Sequence, residues 1–164
     1  MAEYHLASKE YLDIWHQIFK HYKRDRAYKL LDLQESGPLY QRDSDILTID
    51  VWTTTEFPSS DKETWDQLWT NYRGYYTLPI QRRMINRLFA QPRTIYRGGS
   101  KGGRSWTLSR DKAKWFLNHR GYYTKFYDGD DPQPTDLWER KVSKEEVLMI
   151  HNGRGEQEVV IDIE

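Results

Sequence analysis

The segment RTIYRGGSKGGRSWTLSRDKAKWFLNHRG, Arg93 to Gly121, carries two strand patterns, a glycine-rich turn and a helix in immediate succession. RTIYRGG reads as a strand running into glycines, and GRSWTLS reads as a second, short strand with Ser105 and Thr107 on one face. Between them, GGSKGGRS follows a strand as a phosphate loop would. It lacks the Gly-Lys-Ser/Thr ending, however, and leads into a strand instead of a helix, so a hairpin-like turn is expected. SRDKAKWFLNHRG then reads as a helix, with Ser109 as its N-cap and Gly121 just past its end.

Downstream, YYTKFYDGDDPQPTD reads as a loop, and LWERKVS, EVLMIHN and EQEVVIDI read as three further strands. In the last of these, period-2 alternation puts Val159, Ile161 and Ile163 on one face. Glu156, Glu158, Val160 and Asp162 take the other. Two carboxylates therefore stand one alternate position apart at the entrance of the final strand. The ordinary reading of such a pair is a solvent-facing charge cluster that discourages edge pairing.

Upstream, the chain is mainly helical. Leu12, Trp15, Ile18, Phe19 and Tyr22 are spaced as one face of a helix from Ser8 to about Leu31. The basic run KHYKRDRAYK, Lys20 to Lys29, is read as its solvated face. DILTIDVW, Asp45 to Trp52, alternates like a strand. Ser60, with Glu63 three residues on, signals a helix start before Trp65, Leu68 and Trp69. A further helix is expected from about Leu78 to Ala90. The class is α+β, in a single domain over 1–164: a mainly helical N-terminal region (1–91) precedes a β core (92–164).

Composition narrows the setting. Lys plus Arg and Asp plus Glu both number 25, so no net charge draws the whole molecule to nucleic acid or to an anionic membrane. Cysteine is absent, which removes disulfides and thiolate metal sites. The five histidines, His5, His16, His21, His119 and His151, have no paired metal spacing, so no metal is expected. No apolar run suits a membrane helix, and MAEYHLASKEYL has no basic-then-apolar signal pattern. A cytoplasmic protein is the expectation.

The pieces IYRGG, SWTLS and GEQEVVI, taken in that order, resemble the arginine–serine–glutamate class of ADP-ribosyltransferases, which includes bacterial toxins and bacteriophage modifying enzymes. The helix RDKAKWF after the serine strand is similar too, and the likeness covers roughly residues 93–164. The resemblance implies an ADP-ribosyltransferase-like β core and mono-ADP-ribosyl transfer from NAD, the substrate, to a protein acceptor, a host protein if the chain is phage-encoded. It implies Glu158 beside the ribose cation, Ser105 orienting that carboxylate and Arg97 on the phosphate side of NAD. The backbone of Gly98 would pair with the nicotinamide amide. Glu156 would face the acceptor, and a glutamate at that place goes with arginine acceptors. The alternative is a catalytically inactive protein of this fold that binds and blocks a partner.

Overall fold

A computed structural model describes residues 9–37, 39–55, 61–127, 135–155 and 157–163. The chain forms two compact units, Met1–Ile80 and Gln81–Glu164.

The first unit is helical: α1 (Lys9–Phe19), α2 (Arg26–Ser36), α3 (Gln41–Thr54), α4 (Lys62–Asn71) and the single turn α5 (Gly74–Thr77). The expected continuous helix to Leu31 is interrupted. Tyr22 is extended (φ −59°, ψ 148°), and a 3-10 turn spans Lys23–Asp25. Arg26 accounts for the break. Its guanidinium donates to the carbonyls of His21 (3.2 Å) and Phe19 (3.3 Å) and lies over the Phe19 ring. A basic side chain that caps the last carbonyls of a helix stabilises its end. The basic run thus spans the turn between two helices and the first residues of α2.

The expected strand Asp45–Trp52 is also a helix, the body of α3. Nearly every residue from Asp43 to Trp52 is buried, so the helix has no polar face to reveal its period. Its threonines fold their hydroxyls back onto the preceding turn: Thr48 Oγ1 donates to Ser44 O (2.8 Å) and Thr53 Oγ1 to Ile49 O (2.9 Å). The helix penalty of β-branched residues, about 0.5 kcal/mol each, is small beside the burial of Ile46, Ile49 and Val51. Trp52 packs edge-on against Trp65 and Trp69 of α4, with ring centroids 4.8 and 5.2 Å away. The expected cap Ser60 lies outside the described residues; Asp61 occupies the N-cap position of α4.

The second unit carries the sheet. After α6 (Pro79–Leu88) come β1 (Arg93–Ser100), β2 (Ser105–Thr107), α7 (Arg110–Tyr127), β3 (Thr135–Val142), β4 (Val147–His151) and β5 (Glu158–Ile161). The strand order is β3-β1-β2-β5-β4, and every neighbouring pair is antiparallel. The α+β class therefore holds. Helix α7 starts as expected, with Ser109 Oγ accepting from Lys112 N (3.2 Å). It ends later than expected, at Tyr127, so Gly121 lies inside the helix and YYTKFY belongs to it.

Helix α7 packs across β1, β2 and β3. Gly98 makes this approach possible: a Cβ there would lie 1.9 Å from Ala113 O. At the other end of the sheet, the buried Gln81 on α6 caps the edge strand. Its amide donates to Ile150 O and accepts from Ile150 N, both at 2.9 Å, as a further strand would.

Candidate active site

Strand β1 pairs with β3 along its whole length, from Arg93 opposite Val142 to Ser100 opposite Thr135. With β2 it pairs at Tyr96 opposite Thr107. Past Tyr96 the connection to β2 is held by side chains, and Arg97 does most of this. Its Nε donates to Ser100 O (2.5 Å), Nη1 to Ser105 O (2.6 Å) and Nη2 to Ser100 Oγ (3.4 Å). A Cβ on Gly103 would lie 2.1 Å from Arg97 Nη2, so that glycine makes room for the guanidinium. Two indoles fix the remaining carbonyls: Trp106 Nε1 donates to Gly103 O (2.8 Å) and Trp138 Nε1 to Gly99 O (2.7 Å). Gly99 itself has φ 134°, a conformation open to glycine. The glycine-rich segment is a built turn, wrapped around one arginine.

Strand β2 lies between β1 and β5. Ser105 is opposite Val160 and Thr107 is opposite Glu158. Ser105 Oγ reaches diagonally to donate to Glu158 Oε1 (3.0 Å), and both residues are half-buried. The second hydroxyl of the pair goes elsewhere, because Thr107 Oγ1 accepts from Ser109 N (3.1 Å) at the start of α7. One hydroxyl of SWT therefore orients a carboxylate, and the other supports the helix that follows.

The register brings three of the four expected catalytic residues to one stretch of sheet: Arg97 against the backbone of Ser105, and Ser105 against the carboxylate of Glu158. Strand alternation turns Arg97 to the face opposite Tyr96, Thr107 and Glu158, and its guanidinium meets the backbone carbonyl of Ser105. Gly98 faces Leu137 across β1–β3 and lies beneath α7, which accounts for its being glycine.

Glu156 lies outside the described residues. Strand β5 begins at Glu158, and the residue before it, Gln157, has φ 48°. Gln157 is thus not part of the strand alternation that starts at Glu158. Nor does burial alternate in β5, since Val159, Val160 and Ile161 are all buried.

The same register shows neighbours that spacing alone did not reveal. One row crosses all five strands: Glu139, Tyr96, Thr107, Glu158 and His151. Residues directly opposite in adjacent antiparallel strands share a face, so these five do. The chain order contains no signal for this row, because β5 inserts between β2 and β4.

Comparison with models of protein families, with curated proteins and with solved structures finds no match for the chain. Among the described residues, no helix is long and apolar enough to cross a membrane.

Proposed function

We propose that the chain is an NAD-dependent mono-ADP-ribosyltransferase that transfers ADP-ribose to a protein acceptor, an arginine side chain in the first instance. One observation carries the reading: the hydrogen bond from Ser105 Oγ to Glu158, one residue from the guanidinium of Arg97. Breaking the bond between nicotinamide and ribose develops positive charge on the sugar. A carboxylate held in place before the charge appears stabilises it without reorganising, and Glu158, oriented by Ser105, is suited to this. Arg97 would stand on the phosphate side of NAD, with the backbone of Gly98 toward the nicotinamide amide and Glu156 toward the acceptor. A phage-type modifier acting on a host protein in the cytoplasm fits this activity.

A second reading has its own observation. The donors of Arg97 are engaged with the carbonyls of Ser100 and Ser105, work that an arginine does in a purely structural role. That favours a protein that keeps the architecture and blocks a partner by binding.

Incubation with labelled NAD and a host-cell extract separates the two, followed by mass spectrometry of any labelled band. The transferase reading expects a labelled protein with the wild type and none with Glu158→Gln. A wild type that labels nothing, yet captures a partner, favours the binding protein.

A further inference from the structure

His151 closes β4 directly opposite Glu158, on the side of β5 away from Ser105. It is half-buried, and among the described residues its ring makes no hydrogen bond or ion pair. The ring instead packs over the turn that leads to β5: a Cβ on Gly153 would lie 2.1 Å from His151 Nε2. Around the Ser105–Glu158 pair, then, Ser105 supplies the donor to the carboxylate, and an imidazole with uncommitted nitrogens stands on the opposite strand. Imidazole changes protonation near neutral pH and so serves readily as a general base.

We propose that His151 is the group that takes the proton from the attacking acceptor, and thus a further catalytic residue of the site. This rests on the ADP-ribosyl transfer reading. In the step, the bond between the ribose C1′ and the nicotinamide nitrogen breaks, and its electron pair stays on the nicotinamide ring. A lone pair of the acceptor nitrogen forms the new bond to C1′, and the proton lost from that nitrogen passes to the imidazole. Water attacking in place of the acceptor gives up its proton by the same route.

Opposite the imidazole on β5 stands the carboxylate of Glu158. From α6, the side chain at β4 is the uncharged amide of Gln81, committed to the Ile150 backbone. The adjoining turn carries two further charged residues, Arg154 and Glu156, whose side chains lie outside the described residues.

The test measures nicotinamide release from NAD across pH 5.5 to 9, with agmatine as a small guanidine acceptor, for the wild type, His151→Gln and His151→Ala. Thermal melts serve as the fold control. The wild type should gain activity as pH rises from 5.5 to 8. Both variants should lose that limb and fall by about 100-fold at pH 8. An active wild type matched by His151→Gln in rate and pH profile overturns the proposal alone. A wild type that releases no nicotinamide overturns the transferase reading and this proposal with it.

Discussion

Each unit holds a carboxylate that matters, and the two are treated in opposite ways. Asp45 in α3 is fully buried and saturated: Oδ1 accepts from Gln41 Nε2 and Arg73 N, both at 2.9 Å, and Oδ2 accepts from Thr77 Oγ1 at 2.5 Å. Burial pushes its pKa up, while the donors from Thr77, Arg73 and Gln41 pull the other way. Glu158 in β5 is only half-buried, steadied by Ser105. A carboxylate sealed on all sides joins helices. One left partly open, and oriented from the side, is what the proposed transfer requires.

That contrast can be broken most forcefully in the sheet unit. Gly98→Ala puts a Cβ into the backbone of α7, so we expect a loss of about 4 kcal/mol or failure to fold, read by chemical denaturation. Normal stability would mean that α7 is not seated on β1 as described. Asp45→Ala should cost about 3 kcal/mol, because Arg73 N–H and the Thr77 hydroxyl lose their acceptor inside the helical unit. The acid limb sharpens this. Because the folded pKa of Asp45 is raised, its contribution is fully present below the unfolded value and is lost as pH rises through the folded value. Asp45→Asn should lack that limb when stability is measured from pH 3 to 7.

Arg97→Lys should lose about 2 kcal/mol, since an ammonium cannot serve the carbonyls of Ser100 and Ser105 together. Unchanged stability in that variant would free Arg97 from its structural part. The smallest effect belongs to Glu146. Its carboxylate accepts from Ser143 N (2.9 Å) and pairs with Arg140 at 2.8 Å. These contacts, the backbone bond foremost, hold its pKa below the ordinary glutamate value. Its contribution is present above the unfolded pKa and lost as pH falls through the folded one. Solvent screening keeps it small, so Glu146→Gln should cost under about 1 kcal/mol at pH 7.

Legibility followed local chemistry. The strands at Arg93 and Ser105, the Ser109 cap and the glycine turn could be read because each depends on adjacent residues. Helix α3 could not, because burial on nearly every side erases helical periodicity and leaves the alternation of Ile, Thr and Val as a false strand signal. The break before α2 depends on Arg26 reaching back to two carbonyls, which spacing does not encode. In the site, Ser105 and Glu158 were legible as alternating strand residues. His151 was not, because its place beside Glu158 exists only once β5 pairs with β4.

The account rests on the carboxylate of Glu158 facing a developing ribose cation. The direct measurement is nicotinamide release from NAD by purified wild type and Glu158→Gln, side by side, with thermal melts to confirm equal folding. We predict a fall of about 100-fold or more in the variant with an unchanged melting temperature. Equal rates in the two proteins would contradict the account.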